Sequence, residues 1–85
     1  MENAPPFDVG ERVHRNQLLS WKYTGLSGKP GAKKAVRRFK KGQWVVEVYA
    51  HVDPTQASRV VSVRTAEQDR IHWTETRQRL MRHRE

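Results

Sequence analysis

The sequence contains no cysteine, and this absence excludes several kinds of site together. Disulfides, zinc sites built on thiolates and cysteine nucleophiles all require that residue. Small secreted domains with a limited core usually depend on disulfides for stability. A cysteine-free chain of 85 residues is therefore predicted to work in the reducing cytoplasm.

Long apolar segments are also lacking, since no aliphatic or aromatic run exceeds three residues. A membrane-spanning helix needs about 20 such residues, so no span is predicted. Glu2 stands where a secretion signal would carry its basic region, and no apolar stretch follows it. The length predicts one domain, residues 1–85, with residues 1–6 as an extended lead-in and residues 82–85 as a disordered tail.

Acidic residues are missing from residues 29–41, which hold seven of the 17 lysines and arginines. Residues 1–28 are neutral, with three basic and three acidic side chains, so this run supplies most of the net charge of +8. A localised basic excess favours an anionic polymer as the partner. The competing interpretation is a solvated loop whose charge only keeps the domain in solution.

Alternation of apolar and polar residues predicts several short strands. One strand is predicted over residues 7–15, entered through a bulge at Gly10, and a second over residues 18–24. The alternation in "QWVVEVYAHV" and "RVVSVR", joined by the turn residues "DPTQAS", predicts an antiparallel hairpin over residues 43–64. The segment "KKAVRRF", residues 33–39, fits either a helical turn or an edge strand.

The C-terminal segment carries conflicting signals. Thr65 and Gln68 have the spacing of a capping box, which indicates the start of a helix. Ile71, however, falls off the face that the other apolar residues of such a helix would share. The favoured interpretation divides the segment into a turn at 65–69, a strand at 70–74 and a helical turn at 75–82.

Two segments of the chain are similar to a known fold. "FDVGERVHR" resembles the opening strand of SH3-like barrels of the integrase C-terminal and KOW type, and "RIHWTETRQRL" resembles their closing strand and terminal turn. The expected fold is all-β, a small five-stranded SH3-like barrel with a long basic loop and a short C-terminal helical turn. The alternative is an α+β fold in which a C-terminal helix packs on an antiparallel sheet. The resemblance implies a fold often used to bind nucleic acid or protein.

The favoured function is binding of DNA or RNA with low sequence specificity. Lysine and arginine in the basic run would contact phosphates, and Tyr49 would stack a base beside Arg64 on the adjoining sheet face. The predicted site residues are Lys29, Lys33, Lys34, Arg37, Arg38, Lys40, Lys41, Tyr49 and Arg64. No metal or other cofactor is predicted, because the four histidines have no ligand spacing.

Two other functions remain open. The basic run could dock on an acidic protein partner, which would make the chain a protein-interaction module. A small toxin-type ribonuclease is the enzymatic alternative, in which His51 and Tyr49 would act with Arg38 or Arg64. A platform that binds nucleic acid without chemistry is the simpler interpretation of the same residues, so the sequence favours a protein that is not an enzyme.

Overall fold

The computed structural model describes residues 4–27, 35–49, 53 and 55–82. Within these ranges the chain forms five strands, one 3-10 turn and one α-helix, which makes the fold α+β. The elements in chain order are β1 (Arg12–Val13), the 3-10 turn (Arg15–Leu18), β2 (Lys22–Ser27), β3 (Val36–Lys41), β4 (Trp44–Tyr49), β5 (Ser58–Thr65) and α1 (Ala66–Arg82).

The strands form one antiparallel sheet in the order β1-β5-β4-β3-β2. The hairpin predicted over residues 43–64 is confirmed, because β4 and β5 pair from Trp44↔Thr65 to Val48↔Val60. The prediction of an all-β fold is wrong, because Ala66–Arg82 form a helix of 17 residues, and the sheet is not a closed barrel. β1 has only two residues and pairs with β5, so it does not close the sheet against β2 at the other edge. The alternative, a C-terminal helix on an antiparallel sheet, describes the architecture.

The predicted turn at 65–69 and strand at 70–74 are also wrong, since α1 runs through both. The capping box is real: the Thr65 backbone N–H donates to Gln68 Oε1, and the Gln68 N–H donates to Thr65 Oγ1. Glu67 and Asp69 in the first turn complement the positive end of the helix dipole. Ile71, which argued against a helix, lies half-exposed on the outer side.

One face of the sheet carries the hydrophobic core. The chain before β2 covers that face, and the ring of Phe7 lies 5.8 Å from that of Trp21. The predicted strands over residues 7–15 and 18–24 are confirmed only in part, because a 3-10 turn separates β1 from β2. The core comprises Val13, Leu18, Val46, Val48 and Val60, with Phe7, Trp21, Phe39 and Val63 packed against it.

Of the two interpretations left open for residues 33–39, the strand is confirmed over residues 36–39, but it is not an edge strand. Residues 36–41 form β3, which lies between β2 and β4 in the interior of the sheet. Phe39 pairs with Val46 on the core face, whereas Arg38 pairs with Glu47 on the face that α1 covers. The strand tolerates Arg38 on the helix side because this side chain pairs with Asp69 of α1, whereas Lys40 on the same side is exposed. Residues 28–34, the first half of the run, lie outside the described residues.

Candidate nucleic-acid interface

A buried carboxylate joins the helix to the sheet. The side chain of Asp69 on α1 is almost fully enclosed, with the residue only 3% exposed. It accepts a hydrogen bond from Arg38 Nη2 and another from Trp73 Nε1 at 3.1 Å. Arg64 Nη1 lies 3.5 Å from Oδ1, the oxygen that also accepts the hydrogen bond from Trp73. A carboxylate at this depth is tolerated only when it is paired, and these three donors satisfy it.

A second buried carboxylate lies within the sheet itself. Glu47 accepts hydrogen bonds from the hydroxyls of Ser27 and Ser62, and from Arg64 Nη1 at 2.7 Å. Burial alone would raise the pKa of Glu47, but these hydrogen bonds and the charge of Arg64 outweigh it and hold the pKa below its usual 4.5. Both carboxylate oxygens are engaged, which favours a structural role over proton transfer.

Arg38 and Arg64 are therefore engaged in ion pairs within the protein. Their side chains are 30% and 22% exposed, and the two guanidinium charges balance the two buried carboxylates. Arg64 Nη2 also lies 3.3 Å from His72 Nε2 on α1. We refer to Arg38, Glu47, Arg64 and Asp69 as the ion-pair network. Because its charges cancel, it adds no net positive charge to the surface.

On the face of the sheet that α1 covers, basic side chains outside the ion-pair network line one cleft. A space of about 350 Å³ opens between β3 and the first three turns of α1, and we call it the basic cleft. Val45, Ala66 and Trp73 supply the apolar part of its lining. Its lining residues are Arg38, Lys40, Val45, Ala66, Asp69, Arg70, Trp73, Thr74 and Arg77.

The basic cleft carries an unbalanced charge. Asp69 is the one carboxylate among its described lining residues, and the ion-pair network already uses it. Lys40, Arg70 and Arg77 are exposed and make no ion pair with any residue that the structure describes. Arg70, Thr74 and Arg77 follow spacings of four and three residues, which places them on one face of the helix.

Two further features add to the positive potential of the cleft. Lys22 on β2 lies directly opposite Lys40 on β3, so the two exposed ammonium groups belong to the same face. Like charges in this position destabilise a sheet. In addition, Arg38 Nε is buried at the base of the cleft and donates to no acceptor in the described part of the chain. An anion in the cleft would offset the repulsion between Lys22 and Lys40.

The predicted site residues divide among different surfaces. Arg38 and Lys40 line the basic cleft, while Arg37 and Lys41 belong to the core face of β3, where Lys41 Nζ donates to Ser20 Oγ at 2.8 Å. Tyr49, at the end of β4, is only partly exposed. Lys29, Lys33, Lys34 and His51 lie outside the described residues.

Sequence reasoning missed Arg70 and Arg77. The signal that could have found them is the capping box at Thr65, because a helix beginning there brings residues 70 and 77 to the same side two turns apart. A strand over residues 70–74 would have separated them. The predicted strand over residues 70–74 therefore kept Arg70 and Arg77 out of the predicted set of site residues.

Comparison of the chain with protein-family models, curated proteins and solved structures finds no match. In the described ranges, no helix combines the length and the apolar character needed to cross a membrane. Nor do those ranges bring three histidine, aspartate or glutamate side chains close enough together to hold a metal ion.

Proposed function

We propose that the protein binds nucleic acid through the basic cleft, with phosphates contacting Lys40, Arg70 and Arg77. The observation that carries the proposal is the set of three unpaired cations around a cleft whose single described carboxylate is already neutralised. A polyanion would displace the counterions that these side chains hold in solution, and that release drives binding.

The size of the cleft supports contact with a backbone rather than with a whole duplex. A volume of about 350 Å³ is near the lower end for small-ligand sites. The Thr74 hydroxyl donates to the backbone carbonyl of Arg70 at 2.9 Å, so the phosphate contacts fall to the charged side chains around it. A sugar-phosphate backbone would lie along the cleft between β3 and α1.

Low sequence specificity follows from the same chemistry. Contacts to phosphate and sugar fix the position of a ligand but carry no direct sequence information. The side chains with the firmest orientation, Arg38 and Arg64, are held in the ion-pair network. The flexible ones, Lys40, Arg70 and Arg77, can follow a backbone of any sequence. Binding without a chemical step is the function that this arrangement supports.

Two matched double variants test the proposal. Arg70→Gln/Arg77→Gln removes two charges inside the cleft, and Arg79→Gln/Arg82→Gln removes two exposed charges from the last turns of the same helix, outside it. Both variants lower the net charge from +8 to +6. Fluorescence anisotropy with a labelled oligonucleotide at low salt should show affinity reduced at least tenfold in the cleft variant and within about threefold of wild type in the control.

The two variants have the same net charge but lose arginines at different positions, so they show whether binding depends on the basic cleft or only on the net charge. Equal losses in the two variants would mean that binding follows net charge and would contradict the cleft. Absence of any binding at low salt would exclude nucleic acid and make an acidic protein the leading partner. Melting curves of all three proteins provide the check that the cleft variant remains folded.

A further inference from the structure

A second groove lies on the opposite face of the sheet, beside the part that the N-terminal segment covers. Its volume is about 680 Å³, and we call it the aromatic groove. Tyr23 and Phe39 form its aromatic wall, Leu19 adds an exposed apolar side chain, and Arg15 and Arg37 add positive charge. None of these residues takes part in the ion-pair network or the basic cleft.

Tyr23 is placed to stack on a flat ligand. The residue is 49% exposed, although its ring packs against Phe39 with the centroids 5.4 Å apart. Phe39 in turn packs on the hydrophobic core, so the Tyr23 ring is supported on one side and open on another. A supported, exposed aromatic ring on a sheet is the usual platform for an unpaired base.

The charges of the aromatic groove fit a nucleic-acid strand. Arg15 and Arg37 are exposed and form no ion pair within the described chain, and Asp53 is the one carboxylate among the described lining residues. The groove therefore joins an aromatic surface to a net positive charge. A base would stack on the Tyr23 ring, and the phosphates next to that base would contact Arg15 and Arg37.

The two sites meet at the edge of the sheet. Lys22 and Tyr23 are consecutive residues of β2, the last strand in the sheet, and successive side chains of a strand point to opposite faces. Lys22 lies opposite Lys40 on the side of the basic cleft, and Tyr23 lies opposite Phe39 on the side of the aromatic groove. A nucleic-acid strand that leaves the basic cleft at Lys22 would reach Tyr23 by passing around the edge of the sheet at β2.

We propose that the ligand is a single strand, with one unpaired base stacked on Tyr23 and its flanking phosphates held by Arg37 and Arg15. This inference rests on the proposed function, because the basic cleft would hold the neighbouring part of the backbone. A duplex keeps its bases stacked inside the helix and offers none to Tyr23. The protein should consequently discriminate between single and double strands although it reads little sequence.

The test uses three ligands of equal length: a single-stranded oligonucleotide, its duplex, and a strand with abasic sugars throughout. The full chain should bind the single strand at least fivefold more tightly than the abasic strand, because one stacked base contributes roughly five- to hundredfold in affinity. Tyr23→Leu, which keeps an apolar side chain but removes the ring, should bind the single strand with the affinity of the abasic strand. Tyr23→Phe, which keeps the ring, should remain within about twofold of wild type.

The outcomes distinguish this inference from the proposed function. Equal affinity of the wild-type protein for the normal and abasic strands overturns the stacking proposal, and it does so without any variant that could fail to fold. If Arg70→Gln/Arg77→Gln still weakens binding in that case, the proposal of phosphate binding in the basic cleft is retained without the stacking site. If Tyr23→Leu weakens binding while the cleft variant does not, the single-strand site remains and the cleft proposal fails.

Discussion

Replacing Asp69 with asparagine removes the charge at the centre of the helix-sheet contact and nearly preserves the size of the side chain. The amide oxygen can still accept the hydrogen bond from Trp73, and Arg64 keeps Glu47 as a partner. Arg38 has no such substitute, because Asp69 is its one carboxylate partner in the described chain and its Nε is already buried without an acceptor. The variant therefore leaves one partly buried guanidinium unpaired.

The expected loss can be estimated from that single unpaired charge. Removing one member of a fully buried ion pair costs about 3–5 kcal/mol. Arg38 is 30% exposed and can turn towards water, so we expect about 2–4 kcal/mol. A domain of 85 residues has a free energy of unfolding of about 4–13 kcal/mol, so the loss is a large fraction of the total. The melting temperature should fall by roughly 10–30 °C.

Thermal and urea unfolding at pH 7, followed by circular dichroism, measure this loss. Glu75→Gln is the matched control, because it removes an exposed carboxylate from the same helix and changes the net charge by the same amount. It should melt within about 3 °C of wild type, as surface substitutions usually do. A fall of less than about 5 °C for Asp69→Asn would refute the view that the ion-pair network anchors α1 to the sheet.

Further predictions concern the two faces of β3, the acid range and the helix cap. Arg38→Gln should lower the melting temperature by roughly 5 °C or more, whereas Arg37→Gln, on the next residue but the opposite face, should leave it within a few degrees. The pKa of Glu47 is depressed in the folded protein, so its contribution to stability is present at neutral pH and is lost as the pH falls below about 4.5. Over that acid range the melting temperature should fall more steeply for wild type than for Glu47→Gln. Thr65→Ala should cost about 1 kcal/mol in urea unfolding because it removes the helix cap.

The β4–β5 hairpin was predictable because its signal is local. Val46 and Val48 alternate with Val45 and Glu47, and period-two alternation of β-branched residues needs no knowledge of the partner strand. The face carrying Val46 and Val48 is indeed the core face. What alternation could not show is that Val45 and Glu47 are buried too, beneath a helix that begins some twenty residues later.

The nature of β3 could not be read from its own residues. "VRRFKK" looks like a solvated segment because four of its six side chains are charged. Arg38 is tolerated in the sheet only because Asp69, 31 residues further along the chain, reaches it from α1. A pairing over that separation is a property of the tertiary structure. Deleting charge from the whole run is accordingly not neutral for the fold, since Arg38 belongs to the ion-pair network.

The sequence carries two conflicting signals for the C-terminal helix. The capping box of Thr65 indicates correctly where the helix begins, whereas the position of Ile71 disagrees with a helix. A half-exposed isoleucine on a helix is ordinary, because apolar atoms make up much of any protein surface. The basic cleft depends on this helix, so half of its cations escaped prediction for the same reason.

The salt dependence of binding to a single-stranded oligonucleotide tests the central claim most directly. Lys40, Arg70 and Arg77, with Lys22 beside them, should contribute about −2 to −3 to the slope of log K against log salt, and phosphates held by Arg15 and Arg37 would steepen the total to about −4. In the Arg70→Gln/Arg77→Gln variant the slope should flatten by about 1.4, and in Arg79→Gln/Arg82→Gln it should not change. A wild-type slope flatter than about −1, or the same slope in the wild-type protein and the cleft variant, would contradict phosphate binding in the basic cleft.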